Sequence, residues 1–523
     1  MQSPVTVTHP RLNRSYQVYR DGEELFQTEY ELDPSGKEVF RTTHKLDYAI
    51  GSGTRGITYI TRRAQHLFQA PLSYYASTGA WELSPGYETL DHGFNRQIET
   101  SCLACHAGKL NLVAEKRGFF GEPPFEELAI GCENCHGPGQ IHVRERLKTL
   151  EVSGQVDHTI FDPSKAPPRL GENVCMGCHQ WGDARTLLPG KTHFDFRPGD
   201  YLYDTLAILK VPPDPSKQAD PSKKADPSKQ EGVLLEHHFG MQMSLCFRAS
   251  AGALSCFGCH EVHNPPQPND KVAYYRQKCL QCHTGETCGI PLAKREALTP
   301  VNDCAGCHMP RRDLRGIRHT ALTNHRIPRN PDAPLPAELF ELTTAGLPDL
   351  VLLNPPPGED AALPLATRFR AYAEIALGRP EYESKSLRLL DQLAAGEPAD
   401  AFVLAALGHQ AKLEKTADAD HRAIAYLTKA AEQNTGFDSV YYDLAEILSR
   451  SGGGIEALAI VDKGIARAPF SRTLSRMRTF TLLQLERYAE AEETIRRHVD
   501  LFPADAEIRE LYEKIEAANA AAR

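Results

Sequence analysis

The chain has 523 residues, 41% of them apolar and 24% charged, with a formal net charge of −9 and a mean hydropathy of −0.42. That length is too great for one compact core and predicts two or more domains, while the acidic balance without a long basic run argues against a nucleic-acid binder. The longest apolar runs, such as AFVLAALG over 401–408, fall well short of the roughly 20 residues that span a bilayer, so no transmembrane segment is expected.

Taken in chain order, the opening MQSPVTVTHPRLNRSY has neither a basic n-region nor an apolar h-region, so no export signal is visible. Residues 1–90 alternate apolar and polar side chains in SYQVYRDGEELFQTEYEL, GITYITR and FQAPLSYYAS, divided by turn signals at Asp21-Gly22 and Pro34–Gly36. This predicts a small β-meander of three to five strands, covering one end of whatever follows.

Residues 91–329 hold all fourteen cysteines. Twelve form six C-x-x-C pairs: Cys102 with Cys105, Cys132 with Cys135, Cys175 with Cys178, Cys256 with Cys259, Cys279 with Cys282, and Cys304 with Cys307. Cys246 and Cys288 stand outside them, and in an oxidising compartment those two could pair. Each of the six pairs is followed at once by a histidine: His106, His136, His179, His260, His283 and His308. Histidine makes up 21 of 523 residues, about 4%, so chance would place it six times out of six with a frequency of about 0.04 to the sixth power. C-x-x-C-H is the attachment signature of c-type haem. Two thiols add across the vinyl groups of one porphyrin edge, and the adjacent imidazole takes the iron from the proximal side. Structural zinc, as three four-thiolate sites, is the alternative, but zinc requires no histidine at the next position. A thioredoxin-like redox role would need one pair, not six.

Six haems then share about 230 residues between the first and last motif. So little chain cannot also bury an ordinary apolar core, and the porphyrins must form much of it, wrapped by short helices and irregular chain. Close spacing would let electrons hop between them.

Twelve further histidines precede residue 330: 9, 44, 66, 92, 142, 158, 193, 237, 238, 263, 319 and 325. Six irons can take at most six of them as distal ligands. His142 lies six residues beyond His136 and His263 three beyond His260, too close to swing round their own haem, so each is expected to reach a neighbouring one. His319, His325 and His92 complete the distal candidates; hydrogen bonding to a propionate or to backbone is the other role open to such histidines. Of the adjacent His237 and His238 at most one can bind a given iron, and neither is favoured. His193, His66, His44 and His9 read as surface or turn residues, and Met241 and Met243 as packing residues that could also ligate.

A six-residue tandem repeat, DPSKQA-DPSKKA-DPSKQ, occupies 214–230 and predicts a solvated, disordered insertion. Residues 330–365 are proline-rich and read as a linker. Beyond it, over 366–523, the pattern turns helical. Ala423, Ala457 and Ala491 are 34 residues apart, as are Pro469 and Pro503. A 34-residue period with alanine at the close-packed position and proline near the repeat end is the tetratricopeptide pattern. Segments 404–437, 438–471 and 472–505 would form three repeats, 366–400 a degenerate helix pair, and DAEIRELYEKIEAANAAAR a terminal capping helix. Such solenoids dock proteins or peptides. The fold class is therefore mixed: β-meander, haem-packed α and irregular domain, all-α solenoid.

The stretches SPGY (84–87), HGFNRQIETSCLACHAG (92–108), GCENCHGPGQIHV (131–143), CFGCHEVHNP (256–265), CAGCHMPR (304–311) and HTALTNHRIPR (319–329), followed by the repeats, resemble bacterial multihaem c-type cytochromes with a C-terminal repeat domain; the haem portion is similar to the cytochrome c554 family. That resemblance implies covalent haem attachment outside the cytoplasm, hence a periplasmic or extracellular protein. Such families begin with an export signal, often followed by a further C-x-x-C-H. The expectation is that the N-terminus is incomplete, in which case His9 would serve a haem whose motif lies outside the chain.

Six mostly bis-histidine haems predict an electron carrier, with the solenoid docking a redox partner, because histidine on both faces leaves no coordination position for substrate. The alternative is an oxidoreductase acting on nitrite, hydroxylamine or tetrathionate at one open haem. Its candidates are the haems of His106 and His179, which have no neighbouring partner histidine in sequence. No motif carries the lysine that marks the cytochrome c nitrite reductase site. A third reading is a repeat scaffold with redox sensing.

Overall fold

The computed structural model describes residues 4–9, 11–88, 90–113, 116, 118–148, 157–212, 236–251, 253–313, 321–330, 347–356, 358, 362–433 and 436–522. The tandem repeat at 214–230 and His319 lie outside the described residues. The chain divides into two compact units. One gathers Met1–Ala129 and Leu390–Arg523, the other Ile130–Leu314 and Thr320–Leu389.

In the first unit the alternating pattern folds into nine strands rather than three to five. β1 (Val5–His9), β2 (Arg14–Asp21), β3 (Glu24–Leu32) and β4 (Glu38–Lys45) form an antiparallel meander in chain order. β5 (Tyr48–Ile50), β6 (Gly56–Arg63), β8 (Leu72–Tyr75) and β9 (Ala80–Leu83) make a second sheet, with β7 (His66–Gln69) pairing β6. The extra strands are three or four residues long, too short for a two-residue alternation to stand out in sequence. Gln27, fully buried in β3, joins the sheets by donating to the Leu72 carbonyl and accepting from its N–H. Tyr16, Val18, Leu72, Leu83 and Tyr87 pack between them.

Helix α1 (Thr100–His106) follows, then the hairpin of β10 (Lys109–Leu112) and β11 (Phe120–Glu127). Leu103 and Ala107 sink into a cluster with Ile60, Leu67, Ile98, Phe120 and Phe125. That burial fixes α1 through a residue between its two cysteines and the one after His106.

The same unit holds the repeats: α13 (Ala401–Leu413), α14 (Ala417–Glu432), α15 (Asp438–Arg450), α16 (Gly454–Arg467), α17 (Arg472–Gln484), α18 (Tyr488–Leu501) and α19 (Ala506–Ala522). Three helix pairs follow one another, the second and third offset by 34 residues and the first beginning a turn earlier, and α19 closes the series. Side chains of Asp400, Thr416 and Ser471 cap the N-termini of α13, α14 and α17. Ala423, Ala457 and Ala491 are all fully buried at the crossings. Gly408 and Gly464 let partners approach even closer: a Cβ at Gly464 would lie 2.7 Å from the Tyr441 Cβ. The C-terminal region is thus a tetratricopeptide-like helical stack.

The second unit contains α2 (Glu133–His136), α3 (Gln140–Lys148), α4 (Pro168–His179), α5 (His237–Met243), α6 (Leu245–Ala249), α7 (Cys256–Cys259), α8 (Lys271–Leu280), α9 (Leu292–Glu296) and α10 (Cys304–His308). Its one apolar sheet among the described residues is β12 (Ala184–Leu187), β13 (Leu206–Lys210) and β16 (Val351–Leu352), with a separate pair β14 (Arg311–Asp313) and β15 (Ala321–Thr323). β16 comes from within the proline-rich stretch; Asn354 secures it by accepting from Ile208 N–H and donating to the Leu206 carbonyl. α11 (Leu365–Gly378) packs on β12, and α12 (Glu383–Ala394) follows it. Met176, Leu202, Leu206, Ile208, Phe239, Met243 and Leu353 form the core here. Met241 is buried as well, so both methionines pack in this structure.

That core ends abruptly. Between Ser244 and Asn324 not one described side chain is buried, although the span carries three of the six motifs. Apolar side chains within or next to the motifs stand exposed, among them Ile130, Val262 and Leu280.

Candidate cofactor-binding site

Each C-x-x-C-H motif sits on or at the end of a short helix: α1, α2, α4, α7, α8 and α10. On a helix, positions i, i+3 and i+4 share one face, so the spacing sets two thiols and an imidazole side by side. Every cysteine is a thiol outside any disulfide. The bond considered between Cys246 and Cys288 is not formed.

No motif has both of its thiols buried. Cys102, Cys132, Cys178, Cys282 and Cys307 are exposed, while their partners Cys105, Cys135, Cys175, Cys279 and Cys304 are half-buried. In the fourth motif Cys256 and Cys259 are both half-buried. In five pairs one cysteine is thus exposed and the other half-buried, and no pair is closed off from solvent.

Motifs two, three and four converge in the second unit. The thiols of Cys175 and Cys256 share a hydrogen bond, which pushes the Cys256 thiol up and the Cys175 thiol down, and burial together with the nearby Cys175 raises the Cys135 thiol.

The imidazoles converge too. The ring centres of His136 and His263 are 5.8 Å apart and nearly parallel. Those of His179 and His237 are 5.4 Å apart, and those of His260 and His325 are 6.2 Å apart. His237 and His325 meet at 4.6 Å, edge to face. Burial, then the neighbouring imidazoles, pushes His237 down to about 4, and burial lowers His325, so both are neutral at neutral pH.

Several of these rings are held through Nδ1. His136 donates to the Phe161 carbonyl at 2.8 Å, His308 to the Pro328 carbonyl at 3.0 Å, and His325 to the Thr323 carbonyl at 2.9 Å. His142 Nδ1 lies 2.9 Å from Asp157, a carboxylate held below its usual range by hydrogen bonds from Thr159 and Arg146. A histidine that ligates through Nε2 is commonly oriented in this way.

The histidine pair at 237–238 separates on α5, where neighbours point about 100° apart. His237 faces His179, while buried His238 places Nε2 3.0 Å from Glu172. Sequence reasoning missed the device that aligns His237. Glu236, whose burial raises its pKa, accepts from Gln180 Nε2 at 2.8 Å and from the N–H groups of Trp181 and Gly182. Gln180 in turn accepts from Phe239 N–H at 3.0 Å. The chain just after His179 is thereby laced to the start of α5. A glutamate next to a His-His pair was the only signal available, and it carries no pattern.

The other histidines are placed as follows. His9 is buried with Nε2 on the Tyr87 carbonyl and Nδ1 accepting from Arg11 and Leu12 N–H. His44 packs at a tilt against Phe94 at 4.3 Å, and His66 against Phe119 at 4.2 Å; burial pushes each down to about 4. His92 packs edge-on to Tyr87 at 5.3 Å. His158 and His193 lie in turns. His106 ends α1 in the first unit, and His283 is exposed beyond α8. Among the described residues no group of three or more His, Cys, Asp and Glu is gathered to hold a bare metal ion, and no helix is long and apolar enough to cross a membrane.

No protein-family model matches the chain, and no curated protein matches it. Solved structures similar to part of it include the first tetratricopeptide domain of Spaghetti (RPAP3) bound to an HSP90 peptide, at 20% identity and TM-score 0.21, over 23% of this chain and 95% of that one. MamA is similar at 16% identity and TM-score 0.22, over 27% and 85%. The tetratricopeptide protein TTC0263 of Thermus thermophilus is similar at 13% identity and TM-score 0.23, over 29% and 89%.

Proposed function

We propose that the chain is a multihaem c-type cytochrome that carries electrons along six covalently held haems, matured outside the cytoplasm, with its helical repeats docking a protein partner. The observation that carries this reading is that no described residue from Leu245 to Thr323 has a buried side chain. Short helices without a buried side chain need something apolar and rigid to pack on, and exposed Ile130, Val262 and Leu280 lie within or next to the motifs. Porphyrins attached at those motifs supply that surface, whereas zinc ions would not cover it.

In this reading the six cysteine pairs would hold the porphyrins by thioether bonds, and His106, His136, His179, His260, His283 and His308 would each bind the iron of their own motif's haem. The exposure of Cys102, Cys132, Cys178, Cys282 and Cys307, with Cys105, Cys135, Cys175, Cys279 and Cys304 only half-buried, is compatible with a porphyrin edge reaching both thiols of each pair. When bound, the haems supply reversible one-electron iron chemistry. The chain's own part is orientation and exclusion. The carbonyls of Phe161, Pro328 and Thr323 fix the tautomer and plane of His136, His308 and His325. Burial keeps His237 and His325 neutral, the form that ligates iron.

The test is a mass and absorption measurement on protein exported in a haem-maturing host. Six covalent haems are expected, almost all low-spin, with no spectral response to cyanide or nitrite. Protein that matures there without haem overturns the reading. Six haems with a substantial high-spin fraction that responds to those ligands would instead establish the oxidoreductase alternative.

A further inference from the structure

We propose that the fold preassembles three axial ligand pairs, each for one iron: His136 with His263, His179 with His237, and His260 with His325. This rests on the haem reading above and specifies what that reading leaves open. A metal–imidazole bond is about 2 Å long and the ring centre lies about 1 Å further on, so imidazoles on opposite faces of one iron have centres about 6 Å apart. The three pairs stand at 5.8, 5.4 and 6.2 Å, each within an ångström of that span. Each joins the histidine of one motif to one from elsewhere in the chain. The fourth contact, His237 to His325 at 4.6 Å, is too short to straddle an iron. It is a contact between the distal rings of two different haems.

The pairing makes the fourth motif a junction. His260 and His263 are three residues apart, yet one serves its own haem and the other the haem of the second motif. His325, distal to the fourth haem, touches His237, distal to the third. The thiols give an independent indication of the same grouping, since Cys175 hydrogen-bonds Cys256 and Cys135 lies beside Cys175. Haems two, three and four therefore form a cluster, with the third and fourth in contact through their distal imidazoles.

The experiment uses the full-length holoprotein and ferric electron paramagnetic resonance. His263→Met, His237→Met and His325→Met should each leave six haems attached and each remove the bis-histidine low-spin intensity of one haem. In a background carrying Cys132→Ser with Cys135→Ser, which removes the second haem, His263→Met should cause no further loss. The same holds for His237→Met in the background of Cys175→Ser with Cys178→Ser, and for His325→Met in that of Cys256→Ser with Cys259→Ser, should the first background not accumulate. A loss that persists in the matched background overturns that pair while leaving the haem reading intact. A wild-type protein that matures without haem overturns the haem reading itself.

Discussion

The ring of Phe470, in the loop between α16 and α17, meets Phe68 of β7 edge to face at 4.8 Å, and the Arg63 guanidinium lies over both, 3.8 Å from the centre of Phe68 and 4.7 Å from that of Phe470. His66 closes the group at 5.1 Å from Phe470, and Asn95 adds a hydrogen bond to the Leu501 carbonyl at 2.7 Å. Helical repeats and β-sheets thus share one aromatic and cationic joint within the first unit.

Phe470→Ala should weaken that joint. Phe470 is half-buried, so the loss is expected at about 2 kcal/mol, from lost apolar burial together with the ring and cation contacts. Thermal unfolding would show it as a lower midpoint for the sheets and helices together, with Phe470→Leu recovering part of the loss. An unchanged midpoint would mean that the joint contributes nothing to stability.

The same joint carries a pH dependence. Burial, helped by the Arg63 charge, pushes His66 from 6.5 down to about 4. Between those values the unfolded chain takes up a proton that the folded one refuses, so stability rises with pH across that window and falls on acidification from 6.5 towards 4. His44 shares the window. Because His66 is only 2% exposed, its share is on the order of 2–3 kcal/mol. His66→Gln, which can still face Gln97, should flatten the curve of unfolding free energy between pH 6.5 and 4. A variant as acid-sensitive as the parent would remove His66 from the account.

What the sequence made legible was whatever repeats or alternates. Six motifs with one spacing, a 34-residue period ending in helix pairs, and the long strands β2 and β3 all carry local patterns that survive without tertiary context. What stayed hidden depends on partners far along the chain. β16 pairs β13 across some 140 residues (Leu352 opposite Leu209), and nothing near Val351 announces it. The state of the two cysteines outside the motifs was hidden in the same way: Cys246 and Cys288 are both free thiols, not a disulfide. Nor could adjacency choose between His237 and His238. That choice is made by Glu236, Gln180 and Glu172, whose carboxylates and amide are ordinary polar residues until the fold brings them together.

Within the repeats, Asp505 is held from three side chains at a site only 2% exposed: Arg472, two contacts from Arg476, and His498. Burial alone would raise its pKa, but the hydrogen bonds from Arg476 and Arg472 outweigh burial and hold it well below the usual carboxylate range. A lowered carboxylate stabilises above its unfolded pKa of about 4 and loses that contribution as pH falls further. Asp505→Ala should therefore cost about 2 kcal/mol near neutrality, leaving His498 buried without its carboxylate. The difference between variant and parent midpoints should shrink below about pH 4. A difference independent of pH would assign the cost to packing rather than to the ion cluster.

The coreless span makes a prediction about haem removal. Without a buried side chain among the described residues between Ser244 and Asn324, that stretch has little apolar burial of its own to oppose local opening, and regions of this kind open at small free-energy cost. The first unit, with sheets and repeats packed on Leu72, Tyr441 and their neighbours, does not share that weakness. Protein made where haem cannot be attached should be cut by a broad-specificity protease within 245–323 roughly tenfold faster than the holoprotein, while the fragment 390–523 survives in both. The two cut patterns, read by mass spectrometry, separate a cofactor-supported span from one that is merely surface chain: equal cutting rates with and without haem would show that the span gains no support from the cofactor.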